Sequence, residues 1–405
     1  MTQTIKQVLG REPVHPFPAR MAPGIAFDLL SHASRPLRVL DPMMGSGTVL
    51  AIAKARGHHA VGVDIDPLAV LMSRVWTRPI DPDCVTSTAA SVLAEAKAAA
   101  GRMTTREAYP LGADAETRRF VSYWFDPYAR RQLTALSRSI HDVDDKRVRD
   151  VLLCAFSRLI ISKQSGASLA MDLSHSRPHR VFTVAPIKPF RKFEQAVDRV
   201  VANCVSSASH HTGPATRVHR GDARALSLND GSVDLVLTSP PYLNAIDYMR
   251  CSKFSLVWMG FSMEALRRLR SESVGSEAAD AIATESVHIQ KLIGKLHLRP
   301  ALRRRDASIL ARYIMDMEKS LSEVSRVLVS GGRAVYVVGE NTVRGTYIPN
   351  ARILRELAGT VGLTVEGMSA RDLPGNRRYL PPPSAQSDPL GGRMRREVVL
   401  TFGKD

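Results

Sequence analysis

The regular patterning of the chain begins with a short hydrophobic run, Leu37 to Leu40. It stops at Asp41 and passes through Pro42, Met43, Met44, Gly45, Ser46 and Gly47 into an Ala-rich stretch from Thr48. An apolar run of this length, then a glycine turn, then helical periodicity predicts strand, turn and helix. A second run, Ala60 to Val63, follows Gly57 and ends in Asp64, so the segment reads βαβ and requires a parallel strand pair. From Asp81 to about Thr216 the periodicity turns helical, with a Pro-rich interruption from Pro178 to Pro189. Strand patterning returns at Arg217 to Gly221 and again from Val233. This last strand halts at Ser239, Pro240 and Pro241, because two prolines cannot continue a ladder. Arg-rich helical segments fill Met249 to Asp306. An amphipathic helix, Tyr313 to Val329, then leads through Gly331 and Gly332 into a strand, Arg333 to Val338. A helix near Arg352 to Ala358, an Arg- and Pro-rich loop from Asp372 to Pro383 and a strand, Glu397 to Phe402, close the chain.

These elements predict an α/β fold: a doubly wound, mostly parallel sheet of Rossmann type. Its core is drawn from residues 1–80, 217–248 and 307–405 and is interrupted by two mainly helical inserts, 81–216 and 249–306. Ligands of such sheets bind beyond the carboxyl ends of the strands. The glycine turn after Asp41 and the turn at Ser239 both leave strands at that edge, so both are expected in one cleft. His58 and His59 fall between elements and are expected to be exposed.

Composition narrows the class. The chain has 405 residues, 44% hydrophobic and 23% charged, as expected of a globular protein with room for a sizeable core. No stretch approaches the ~18 consecutive apolar residues of a membrane span, and the first residues lack an apolar signal core, which predicts a cytoplasmic protein. The four cysteines, Cys84, Cys154, Cys204 and Cys251, have no metal-site spacing and imply neither zinc nor a disulfide framework. The net charge of +17 suits a polyanionic partner such as nucleic acid.

The first turn reads as a cofactor cradle. Gly45 and Gly47 let the backbone approach a ligand, and the helix they open offers free amides. A P-loop would place Lys before a Ser or Thr after the last glycine, whereas Thr48 and Val49 follow it here. A dinucleotide fingerprint would want glycine or alanine where Leu50 stands. An adenosine ligand without a pyrophosphate remains, with Asp64 placed for ribose hydroxyls. At the second turn the prolines stiffen the backbone, fixing the Ser239 hydroxyl and the Pro240 carbonyl, while Tyr242 offers a flat face. Two acceptors and a stacking ring suit a planar exocyclic amine on a base, which must be flipped out of a duplex to arrive there.

The pairing of DPMMGSGT (Asp41 to Thr48) with TSPPY (Thr238 to Tyr242) resembles the S-adenosylmethionine-dependent DNA methyltransferases that act on exocyclic amines of cytosine or adenine. The resemblance covers the whole α/β core. It implies S-adenosylmethionine as cofactor, held by Asp41, Gly45, Gly47, Thr48 and Asp64. Asp222 would meet the adenine amine, and Phe17 and Pro18 would flank the methionine end. It further implies a catalytic tetrad of Ser239, Pro240, Pro241 and Tyr242 and no metal. Serine at the first tetrad position is typical of the cytosine-N4 enzymes of that family, so N4 of cytosine in DNA is the expected target. Adenine-N6 in DNA, an RNA amine, and a non-catalytic DNA-binding protein retaining the fold are the alternatives. Such an enzyme works with a cognate restriction endonuclease or as a solitary modifier. Carbon-5 chemistry would need a cysteine after a proline, and none of the four stands there.

Either insert could read DNA. From Phe261 to Arg305 there are nine Lys plus Arg against five Asp plus Glu, and the first insert carries the basic loop Ser174 to Arg180. Asn244, Asp247 and Tyr248 follow the tetrad closely enough to line a base pocket, and Arg377, Arg378 and Tyr379 are expected in a loop near the cleft.

Overall fold

The structure, a computed structural model, describes residues 3–18, 20–173, 178–207, 214–241, 243, 248–276, 287–298, 302–343, 346–373 and 396–405. Seven strands make one sheet: β1 (Arg38–Asp41), β2 (His59–Asp64), β3 (Thr216–Arg220), β4 (Val233–Thr238), β5 (Leu328–Gly339), β6 (Thr364–Asp372) and β7 (Arg396–Gly403). Across the sheet they lie in the order β3-β2-β1-β4-β5-β7-β6. β7 runs antiparallel to both its neighbours, and the other pairs are parallel. This is the Rossmann-like, doubly wound arrangement, and the strand order reverses between β1 and β4.

Fourteen helices surround the sheet among the described residues. α1 (Ile5–Leu9) and α2 (Pro23–Ser31) precede β1, while α3 (Thr48–Ala55) and α4 (Pro67–Thr77) flank β2. Between β2 and β3 come α5 (Pro82–Arg102), α6 (Ala115–Trp124), α7 (Pro127–His141), α8 (Lys146–Ile160) and α9 (Pro189–Val201). After β4 come α10 (Met249–Leu256), α11 (Met263–Glu272) and α12 (Val287–Lys295). Finally, α13 (Arg304–Val327) runs into β5, and α14 (Asn350–Thr360) lies between β5 and β6. Several starts are written locally: Asp66, Asp81 and Asp126 each precede a proline, and each aspartate accepts an amide of the first turn. The carboxylate satisfies an orphan donor while proline fills a position that needs none.

Packing divides these helices in two. α5 to α11 share one core with α4, centred on Trp76, Phe125, Phe156, Phe193, Phe254 and Trp258. α12, α13 and α14 instead pack on the sheet around Tyr313, Tyr336, Leu357 and Phe402. The two ends of the stretch between β2 and β3 are clasped together, since Pro79–Ile80 pairs in parallel with Val205–Ser206. Arg11 reinforces the clasp by donating to the carbonyls of Trp76 and Asn203, at 2.9 and 2.7 Å.

Two expectations need correction, and one strand was missed. His58 is buried, not exposed: the Leu37 amide donates to its Nδ1 at 3.1 Å, so its Nε2 carries the proton and donates to the Leu30 carbonyl at 2.8 Å. The helix expected from Tyr313 starts at Arg304, because Arg304 to Arg312 continues the same apolar stripe through Leu310 and Ala311. β6 was not foreseen, because its residues face solvent on nearly every position and show no alternation. Among the described residues no helix is long and apolar enough to cross a membrane.

Candidate functional site

The glycine turn and the Ser-Pro-Pro turn leave β1 and β4, the two adjacent strands at which the sheet order reverses. They are joined directly. The Thr238 hydroxyl donates to Asp41 Oδ1 at 2.7 Å, and both side chains are buried. The Met43 amide donates to the same oxygen at 3.2 Å. Burial pushes the Asp41 carboxyl up to about 7 against these two hydrogen bonds, and the charge of Asp64 adds to the rise.

Asp64, half-buried at the end of β2, holds the glycine turn from the other side. Its Oδ2 accepts the Gly45 amide at 2.8 Å and its Oδ1 accepts the Asp66 amide at 2.9 Å. Burial pushes this carboxyl to about 7 as well, helped by the neighbouring Asp66. Asp66 caps α4 and accepts the Ser252 hydroxyl at 2.6 Å, which ties the start of α4 to α10.

The turn itself needs its glycines. Gly47 has φ +78°, and a Cβ there would lie 2.6 Å from Ser73 Oγ. Gly45 has φ +48°, and a Cβ there would lie 3.0 Å from the Phe17 ring. Phe17 therefore sits against the turn, and it stacks on Tyr248 at a centroid distance of 5.1 Å. Pro18 follows it, half-buried. The segment is anchored by His15, whose ring bonds to Ser157 Oγ on α8 at 2.8 Å; Ser157 in turn donates to Ser255 on α10. Thr48 is buried with its hydroxyl 3.2 Å from that of Ser46. No side chain caps α3, so the amides of its first turn are left for a ligand.

Asp222 stands next but one after β3 and follows Gly221, whose amide donates to the Asp64 carbonyl at 3.0 Å. The Asp222 carboxylate is gripped by Arg224, with Nε to Oδ1 at 3.0 Å and Nη2 to Oδ2 at 2.7 Å. That guanidinium also binds the buried Asp316 at 2.6 Å. Partial burial alone would raise the Asp222 carboxyl, and the grip of Arg224 holds it below its ordinary range instead. Ser239 and Pro241 are half-buried and Pro240 is buried. Tyr242, Asn244 and Asp247 lie outside the described residues, as do Ser174 to Arg177 and Arg377 to Tyr379. Sequence reading missed the links that organise the site: the tie from Thr238, the strap from Asp64 to Gly45, and Arg224.

Two carboxylates, Asp41 and Asp64, thus end adjacent strands beside a helix start that no side chain caps, and a third, Asp222, follows the next strand.

No family model matches the chain. Among solved structures, a SAM-dependent methyltransferase from Methanosarcina mazei is 9% identical, with 93% of this chain and 96% of that one covered and a TM-score of 0.33. TTHA0409 of Thermus thermophilus, described as a DNA modification methylase and solved with S-adenosyl-L-methionine, is 20% identical over 45% of this chain and 51% of its own, with a TM-score of 0.23. This chain thus spans about half the length of that protein. At such scores the fold class rests on the strand order described above. Among curated proteins, the chain is similar to the Type II methyltransferase M.MvaI of Kocuria varians, 23% identical over 416 residues that span 95% of this chain and 89% of that protein.

Proposed function

We propose that this chain is an S-adenosylmethionine-dependent DNA methyltransferase acting on an exocyclic amine, with N4 of cytosine as the target. The observation that carries this reading is the junction of the Ser-Pro-Pro turn and the glycine turn at the point of strand reversal, tied by Thr238 and Asp41. The near full-length similarity to a Type II methyltransferase supports it, and the net charge of +17 fits a DNA partner. A cognate restriction endonuclease fits the Type II name of that relative. The catalytic core is assigned to residues 1–80, 217–248 and 307–405.

In this reading the first-turn amides of α3, beginning at Thr48, hold the cofactor carboxylate, and Asp41 faces its ammonium. Gly45 and Gly47 let the backbone come close. Asp64 accepts the ribose hydroxyls, Asp222 the adenine amine, and Phe17 with Pro18 covers the methionine end. The bound group supplies a methyl on a sulfonium. Ser239 and the Pro240 carbonyl accept the two hydrogens of the target amine and turn its lone pair toward that methyl, Pro241 stiffens the turn, and Tyr242 stacks the flipped base. No strong base is needed, because the methylated amine is transiently cationic and releases its proton to Ser239 or water.

The test is to incubate the protein with labelled S-adenosylmethionine and separate pools of DNA and RNA, then identify the modified nucleoside by mass spectrometry. N4-methylcytosine from DNA is expected. N6-methyladenine would reassign the base, label only in RNA the substrate, and no label anywhere would overturn the enzymatic reading.

A further inference from the structure

The stretch 161–193 carries six Lys plus Arg against a single Asp, and its described residues, 161–173 and 178–193, wrap the corner between α6 and α7. It is fixed in place: the Leu169 amide donates to the Trp124 carbonyl, the amides of Val181 and Phe182 donate to the Leu169 carbonyl, and the Ala185 amide donates to Asp126 Oδ2 at 2.8 Å. On its outer surface Tyr123 and Tyr128 are 53% and 47% exposed, and Val181 and Val184 are each 56% exposed. The Arg180 guanidinium lies 5.1 Å from the Tyr123 ring centroid, and Lys188 Nζ lies 5.4 Å from that of Tyr128. Neither cation has a carboxylate partner among the described residues. Arg180 is thus placed by a ring, and Lys188 by a ring together with the Ala185 carbonyl, to which its Nζ donates at 2.9 Å, so no acid of the described residues neutralises either charge.

The other basic region contrasts with this. On α11, Arg267 pairs with Glu116 of α6 and Arg268 lies 3.8 Å from Glu272, so acids on the same protein already engage these cations. The corner is also coupled to the site. Trp124 packs its ring against Phe254 of α10 at 5.0 Å, and Phe254 stands six residues beyond Tyr248, roughly 9 Å along a helix. Tyr248 is the ring that stacks on Phe17 beside the glycine turn.

We propose that Tyr123, Tyr128, Arg180, Val184 and Lys188 form the surface on which the backbone of duplex DNA rests beside the target base. Arg180 and Lys188 meet phosphates, and the tyrosine rings and Val184 pack on the sugars. Exposed apolar area with unneutralised cations complements a polyanion whose sugars offer apolar edges. The proposal rests on the DNA methyltransferase reading and deepens it by assigning the DNA-bearing face to the first insert.

The experiment measures binding of the full chain to a fluorescein-labelled DNA duplex of mixed sequence, by anisotropy, across a salt series. The double variant Arg180→Gln/Lys188→Gln is expected to reduce the slope of log affinity against log salt by about two and to weaken binding about tenfold. Tyr123→Ala/Tyr128→Ala is expected to weaken binding with the slope unchanged. S-adenosylmethionine affinity and the melting temperature should stay at the parent values in both. Parent-like DNA binding by both double variants, with the loss falling instead on Arg267→Gln/Arg268→Gln, overturns this proposal alone. Failure of the parent chain to bind DNA overturns it together with the reading of DNA as substrate.

Discussion

Thr238 donates its hydroxyl to Asp41 at 2.7 Å, and this one bond joins the ends of the two strands between which the sheet order reverses. The cofactor side and the base side of the proposed site therefore share a buried oxygen. Replacing Thr238 with Val keeps the shape and removes the donor. Loss of a buried hydrogen bond to a carboxyl costs about 1–3 kcal/mol. The melting temperature should fall, and the pH needed to ionise Asp41 should rise, visible as an alkaline shift of the limb in the pH profile of kcat/KM.

Asp41 and Asp64 sit at about 7 in the folded chain, above the ~3.9 of an exposed aspartate. Between those values the folded state holds more protons than the unfolded state, so stability declines as pH rises from about 4 through 7. Denaturant titrations of the ligand-free protein should show this decline, and Asp41→Asn should flatten it and stabilise the protein at pH 8. Binding of a cationic ligand requires the ionised carboxylates. S-adenosylmethionine affinity should therefore weaken as pH falls from 8 to 6, with proton release measurable by calorimetry in buffers of different ionisation enthalpy.

Gly47→Ala places a methyl 2.6 Å from Ser73 Oγ in a left-handed backbone. Strain of this kind costs about 1–3 kcal/mol. Both a lower melting temperature and weaker cofactor binding are expected, whereas Gly57→Ala, with φ +80° and open space around its Cβ, should cost stability alone.

Ser239→Ala removes one proposed acceptor of the target amine without touching the glycine turn. Turnover should fall by a factor on the order of 10²–10³, with S-adenosylmethionine affinity unchanged. Unaltered kcat would remove Ser239 from the mechanism.

The legible parts of the fold were those that local chemistry dictates. Val39, Leu40 and Ala60 to Val63 are apolar because the central strands β1 and β2 are covered there, and Gly45 and Gly47 mark a turn that admits little else. β6 was hidden because an edge strand exposed on nearly every position carries no burial pattern. His58 was hidden because its two partners, the Leu37 amide and the Leu30 carbonyl, are backbone groups without a sequence signature. At the site, residue types announced the two turns, but not that Arg224 would occupy Asp222 or that Thr238 would reach Asp41, since these contacts depend on how the strand ends meet in space.

The clasp of Pro79–Ile80 with Val205–Ser206 bears on how the chain assembles. β2 and β3 are neighbours in the sheet although residues 65–215 intervene. Closing a flexible loop of that length would cost entropy that grows with the logarithm of its length. With its ends pinned, the five-helix stretch meets the sheet as a short excursion, and α5 to α9 share the ordering cost with α4, α10 and α11 in one core. The stretch from Asp81 to Cys204 thereby leaves and returns at one point, so that once the clasp has formed only a short approach remains for β3 to find its place beside β2.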